Sequence, residues 1–270
     1  MITLSDFIKE LRVSGAYSFT VRQAVAALNS SPAHVIAAAY RLKKKGELMS
    51  PAKGLYCVIP PEFSHQGSLP ATLLVPILMN HWGVRYYVGL LSAATYHGAT
   101  HQKIGVFQVV TNKQLPRELV FGEVRIDCIY KKNIESVPVQ NVVVSVGYLC
   151  VSTPEVTAMD LLLYPHRCGG LNHIATVLSE LVEVLDPKKI LALAKENASE
   201  KAWVQRLGYL LESIDSVEPD IQEKNIKSLK MYVQKQNMRY LPLATELRTD
   251  GFVRNKQWMI IENTSIESDL

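Results

Sequence analysis

Cysteine is scarce in this chain: Cys57, Cys128, Cys150 and Cys168 are scattered over 270 residues with no Cys-x-x-Cys pair. That spacing suits reduced thiols rather than a zinc or redox motif, and three of the four lie in apolar, strand-like runs where a thiol is expected to be buried. Long apolar runs are missing too. No window reaches the roughly 18 uncharged residues of a membrane span, and the best stretch, residues 69–79, is short and holds Pro70 and Pro76. Residues 1–10 are polar and amphipathic rather than basic and then apolar, so no secretory signal is expected and the expected location is the cytoplasm. There is no internal repeat and no low-complexity segment. Gly-x-Ser-x-Gly, a Gly-Lys-Ser/Thr phosphate loop and a Gly-Ser turn leading to Asp-x-Asp are all absent, so no catalytic residue and no cofactor are expected, and the chain does not read as an enzyme.

What is present is organised around residues 20–58. Thr20 is a plausible N-cap for a helix whose apolar residues Val21, Ala24, Val25 and Leu28 fall at i, i+3, i+4 and i+7. Asn29 and Ser30 break that pattern. Ser31 followed by Pro32 is a second helix start, a cap and then a ring-locked first position. Val35, Ala38, Ala39 and Leu42 form its buried stripe, and Gly46 stops it. Residues 47–49 and 55–58 are extended, with a turn at residues 50–54 between them. A short helix, a tight connection, a second helix with a basic end and a two-stranded wing make a winged helix-turn-helix. Residues 3–13, with Leu4, Phe7, Ile8 and Leu11 on one face, supply a helix to pack behind it.

Charge follows the same division. Residues 1–61 hold eight basic side chains (Lys9, Arg12, Arg22, Arg41, Lys43, Lys44, Lys45, Lys53) against three acidic ones (Asp6, Glu10, Glu47). That is +5 in a chain of net charge +4, so the remainder carries −1. A cationic helix and wing fit the major groove and backbone of duplex DNA. Ser31, Lys43, Lys44, Lys45 and Lys53 are the expected phosphate contacts, with His34, Tyr40 and Arg41 as candidates for base edges. Ala33 and Ala37 are small on the same face. A basic run at a helix C-terminus can also do no more than complement the helix dipole.

The fold class is therefore α+β, a winged helix-turn-helix over residues 1–60, a linker at 61–67 and a mixed α/β C-terminal domain over 68–270 with a helical segment and a possible subdivision near 168. Helices are expected at residues 70–82 and 86–97. Strands are expected at 106–110, 124–130 and 142–151, where β-branched residues run between turn formers. A further helix begins at residues 152–155, either with a capping box from Ser152 to Glu155 or with Thr153 as cap and Pro154 in the first position. Helices follow at 171–185, 187–197, 200–214 and 219–235, and residues 241–262 close the chain in extended form, with a buried strand at 258–261.

Three groupings could hold a metal, and each has a plainer explanation. His97 and His101 have ligand spacing on a helix, but Gly98 between them is expected to end it. His166, Cys168 and His173 lack a fourth ligand and are split by Gly169 and Gly170. Glu262, Glu267 and Asp269 read as a solvated acidic tail. No metal site is expected.

The winged helix together with residues 86–99 (Tyr-Tyr-Val-Gly-Leu-Leu-Ser-Ala-Ala-Thr-Tyr-His-Gly-Ala), residues 152–162 (Ser-Thr-Pro-Glu-Val-Thr-Ala-Met-Asp-Leu-Leu), Gly169-Gly170-Leu171, and residues 258–263 with Ile266 and Glu267 resembles the AbiEi family of antitoxins. The resemblance implies a regulator of a bacterial toxin-antitoxin system of the abortive-infection type. Its N-terminal domain would bind inverted repeats in its own promoter, and its C-terminal region would oppose a cognate nucleotidyltransferase-like toxin, with or without binding it directly. Two other readings stand beside this one: a winged helix that docks protein, and an enzyme on nucleic acid or nucleotide with the late acidic residues as its site.

Overall fold

The computed structural model describes residues 2–99, 105–144, 147–196, 201–216, 218–236 and 238–266. In chain order its elements are α1 (Leu4–Val13), β1 (Ser18–Thr20), α2 (Val21–Leu28), α3 (Pro32–Lys44), β2 (Leu48–Ala52), β3 (Leu55–Val58), a 3₁₀ turn at Pro61–Gln66 and α4 (Ala71–Trp82). There follow β4 (Tyr86–Val88), α5 (Leu90–Tyr96), β5 (Phe107–Thr111), β6 (Glu118–Phe121), β7 (Val124–Tyr130), β8 (Val139–Val143), β9 (Tyr148–Ser152) and α6 (Pro154–Leu163). The chain continues with α7 (Leu171–Leu181), α8 (Pro187–Glu196), α9 (Ala202–Ser213), α10 (Pro219–Lys235) and the two-residue strands β10 (Leu241–Pro242), β11 (Arg254–Asn255) and β12 (Ile260–Ile261). No helix among the described residues is long and apolar enough to cross a membrane.

The chain groups into two compact units. The first comprises Met1–Tyr86, Gly105–Glu135 and Asn141–Leu149, and the second Tyr87–Ile104, Ser136–Gln140 and Cys150–Leu270.

In the first unit the opening elements form a winged helix-turn-helix. Each of its helices begins where the sequence offers a side-chain acceptor. Thr3 caps α1 with Asp6, and Thr20 caps α2 in a reciprocal box with Gln23, whose Oε1 accepts from the Thr20 amide at 2.7 Å. Asn29 ends α2 in the left-handed region, a conformation asparagine tolerates. β1 was not read from the sequence: three residues are too few to show a period. It pairs antiparallel with β3, which pairs antiparallel with β2, giving the order β1-β3-β2. Leu4, Phe19, Ala24, Val35, Ala39, Leu42, Leu48 and Val58 fill one core between helices and sheet.

Downstream of the wing, residues expected as a linker form the 3₁₀ turn at Pro61–Gln66, and its end is pinned. The Glu123 amide donates to the Gln66 carbonyl at 2.9 Å, and Gly122 approaches so closely that a Cβ there would overlap that carbonyl. In the same unit β5 and β7 pair in parallel and β6 joins β7 antiparallel.

In the second unit α6 is central and packs against α5, α7, α8 and α9. Every residue from Glu155 to Leu162 is buried, the polar Glu155, Thr157 and Asp160 among them. The 86–97 helix expectation is corrected at its start, because Tyr86–Val88 is β4, with Val88 paired in parallel to Val151 of β9. The expected 142–151 strand is instead two strands, β8 and β9. Thr153 and Pro154 begin α6, and the Ser152-to-Glu155 capping box does not form. Ser152 Oγ lies 2.7 Å from Thr157 Oγ1, while Glu155 Oε1 accepts from the Asp186 amide at 3.2 Å.

The closing residues are extended but carry little strand. Side chains of α9 hold them instead. Arg206 Nε donates to the Leu243 carbonyl at 3.1 Å, Gln205 Nε2 lies 3.0 Å from the Met259 carbonyl, and Trp258 Nε1 donates to Glu212 Oε2 at 2.6 Å. Trp258 is fully buried against Gly208, where a Cβ would overlap the ring.

Candidate nucleic-acid interface

α3 is set up by its first turn. The Ser31 hydroxyl accepts from the His34 amide at 3.3 Å, and Pro32 stands in the first helical position. Val35, Ala39 and Leu42 are buried and Ala38 half-buried, the stripe expected from the sequence. Helix geometry then places the remaining residues, each about 100° further round the axis than the one before. The outward centre holds Ala33, Ala37, Tyr40 and Lys44. His34, Arg41 and Lys45 fall on one flank, and Ile36 and Lys43 on the other.

All eight residues expected to meet DNA, namely Ser31, His34, Tyr40, Arg41, Lys43, Lys44, Lys45 and Lys53, are exposed. Seven belong to α3 and its caps. Lys53 stands at the turn between β2 and β3, and its carbonyl lies 3.2 Å from His81 Nε2 at the end of α4. Lys44 Nζ sits 5.0 Å from the centre of the Tyr40 ring, an arrangement that holds the ammonium over the aromatic face without neutralising it. Among the described residues none of Arg41, Lys43, Lys44, Lys45 or Lys53 forms an ion pair. Their charge faces solvent unmatched.

The Arg41 flank adds a feature the sequence did not show. A groove of about 690 Å³ opens between α3, the start of α1 and the end of α2. His34, Arg41 and Lys45 line one wall, with Leu4, Leu28 and Val35 among its apolar lining. Ser30 Oγ lies 3.0 Å from His34 Nδ1, so that imidazole is held at the groove.

In the second unit the two longest motifs noted in the sequence come together. The Tyr87 hydroxyl donates to Asp160 Oδ2 at 2.7 Å. His97, the residue after α5, lies with Nε2 2.8 Å from the Ser152 carbonyl, and Gln140 Nε2 is 3.5 Å from its other ring nitrogen. Burial lowers the His97 pKa below its usual 6.5, with the Ser152 carbonyl and the Glu155 carboxylate pulling the other way. Glu155 keeps one buried carboxylate oxygen without a partner among the described residues. His101, paired with His97 on spacing alone, lies outside the described residues, as do Glu267 and Asp269 of the tail. Glu262 Oε1 accepts from Asn255 Nδ2 at 3.0 Å. His173 packs on Gly169, and no group of three or more His, Cys, Asp or Glu among the described residues is placed to hold a metal ion.

Residues 87–213, from within β4 to the end of α9, match the family model of the AbiEi antitoxin C-terminal domain. This chain carries an AbiEi antitoxin domain. The RV2827C protein from Mycobacterium tuberculosis has a similar fold, with a TM-score of 0.68 at 17% identity over 95% of this chain and 90% of that one. Two further structures superpose much less well. They are the antibiotic-resistance factor ANT(2'')-Ia (TM-score 0.33, 12% identity, 50% of this chain and 93% of that one) and an antigenic nucleotidyltransferase-like protein from Paracoccidioides brasiliensis (0.28, 8%, 54% and 92%). Neither likeness is close enough to bear on this chain. No curated protein matches it. The winged helix precedes the matched residues, so its assignment comes from its own element order and core.

Proposed function

We propose that this AbiEi chain is a cytoplasmic antitoxin that represses its own operon and opposes a nucleotidyltransferase-like toxin. In this reading residues 1–60 bind inverted repeats in the promoter, residues 68–270 carry the antitoxin role, and no part of the chain is a catalyst. One observation supports the DNA half above all. The cations of α3 and the wing are exposed on a single small domain with no acidic partner among the described residues, so a polyanion is the natural source of their counter-charge. In this reading Ser31, Lys43, Lys44, Lys45 and Lys53 take phosphates, and His34, Tyr40 and Arg41 contact base edges. The antitoxin half is supported by the domain match over residues 87–213.

The test has two arms. Purified chain is titrated against a duplex of its native upstream region and against a scrambled duplex, and the adjacent open reading frame is expressed with and without this chain. Retention of the upstream duplex and rescue of growth are expected. Failure to distinguish the two duplexes sinks the repressor reading, and unrescued growth sinks the antitoxin reading. A second reading, in which the winged helix docks protein, is favoured by the exposure of Ile36 and Tyr40 on α3 and would be supported by loss of duplex binding altogether.

A further inference from the structure

The outer face of α3 carries large apolar side chains among its cations. Ile36 and Tyr40 are 48% and 55% exposed, and they stand beside Ala33 and Ala37 on the surface away from the core stripe. Two large apolar side chains on one short helix leave a surface that gains by being covered. The sequence of α3, Pro-Ala-His-Val-Ile-Ala-Ala-Ala-Tyr-Arg-Leu-Lys-Lys, contains no Asn, Gln, Asp or Glu. It therefore lacks the amides that bracket adenine and the carboxylates that accept from cytosine. His34 and Arg41 sit on the groove flank rather than at the centre. Beside the Lys44 ammonium, the centre of the helix offers the Tyr40 ring and the methyl groups of Ala33 and Ala37, with Ile36 on the flank next to Lys43.

The major groove presents one methyl group, on C5 of thymine. Cations frame the apolar face on the same domain, with Lys43 and Lys44 at the end of α3 and Lys53 on the wing, all exposed and without ion pairs among the described residues. That charge selects a polyanion over a protein surface as the occupant. We infer that α3 recognises thymine methyl groups through Ile36 and Tyr40, with Ala33 and Ala37 small enough to let the helix sit close to the bases. The preferred duplex then carries thymine at the pairs beneath these residues. This rests on the DNA-binding reading above and adds to it the chemistry being read.

The experiment uses the full chain. Duplexes retained from a random pool are sequenced, and the best is titrated by fluorescence anisotropy with its thymines intact and with deoxyuridine in their place, a change that removes only the methyl groups. Thymine enrichment is expected in the selected half-site, with binding weakened about fourfold for each contacted methyl. Ile36→Ala should bring the thymine-to-uracil ratio toward one. Because the uracil comparison uses unaltered protein, it does not depend on any variant folding. Equal affinity for thymine and uracil duplexes overturns the inference while leaving DNA binding intact, and a chain that retains no duplex removes the DNA-binding reading itself. Should Ile36→Ala instead dissolve a self-association of the DNA-free chain with no change in the thymine-to-uracil ratio, the face is a contact between copies and the inference falls.

Discussion

The phenol of Tyr87 on β4 and the carboxylate of Asp160 on α6 meet in a 2.7 Å hydrogen bond with both side chains out of water. A strand and a helix far apart in the chain are joined there by a polar contact inside an apolar core. Burial first, and then the neighbouring carboxylate, raises the Tyr87 pKa well above its usual 10.0. Tyr87→Phe keeps the ring and removes the donor, and should cost about 1–3 kcal/mol in urea unfolding at neutral pH. A pKa raised in the folded state means that the unfolded chain loses its proton first. The contribution is then complete below about pH 10 and declines as pH rises beyond it. The Phe variant should accordingly lose less stability than the parent between neutral and strongly alkaline pH, and parallel pH curves would count against this account.

His97 gives the opposite slope. Its lowered pKa, caused chiefly by burial, means that the unfolded chain takes up a proton before the folded one does. Its contribution is full above about pH 6.5 and is lost as pH falls through that value toward the folded pKa. His97→Gln cannot titrate, so its thermal midpoint should fall less steeply than the parent's below about pH 6.5. An unchanged acid limb would show that the His97 imidazole is not what couples this unit to pH.

Gly122 is required by space as well as by conformation. With φ at +58°, an added Cβ would overlap the Gln66 carbonyl and crowd Gly67, both of them backbone and unable to swing aside. Gly15→Ala is the control, since its φ is +75° but nothing lies within 4 Å of the added atom. Denaturant unfolding should show Gly15→Ala costing on the order of 1 kcal/mol and Gly122→Ala clearly more. Equal losses would mean that the turn after the wing shifts freely on the β6–β7 hairpin.

On DNA, Arg41 and Lys53 should separate two kinds of contact. Arg41→Ala is expected to cost about 1–3 kcal/mol on the operator and little on scrambled duplex if its guanidinium brackets a guanine. Lys53→Ala should weaken both duplexes alike and reduce the salt slope by about 0.9. Anisotropy titrations over a range of salt concentrations measure both effects, and equal losses on the two duplexes for Arg41→Ala would refute a base contact.

Much of the fold is legible in the sequence. The starts of α2 and α3, the buried stripe of Val35, Ala39 and Leu42, the wing, β7 and α10 all follow from caps, periodicity and turn residues. Where reading failed, the deciding partner lay outside the pattern being read. Tyr86–Val88 is strand because Val151 lies beside Val88, and the Ser152-to-Glu155 capping box gives way because Asp186 and Thr157 offer those side chains other partners.

The sequence by itself determined the winged helix and the side chains that α3 exposes, because those depend on hydrogen bonds reaching three residues and on a repeat of 3.6, both written within one short stretch. Tertiary structure alone decided that α1 and α2 close a groove beside Arg41, that Gly122 pins the turn after the wing, and that Tyr87 meets Asp160. Each of these brings together residues with no local relation, and such pairings are fixed only when distant segments bury their apolar surfaces against one another.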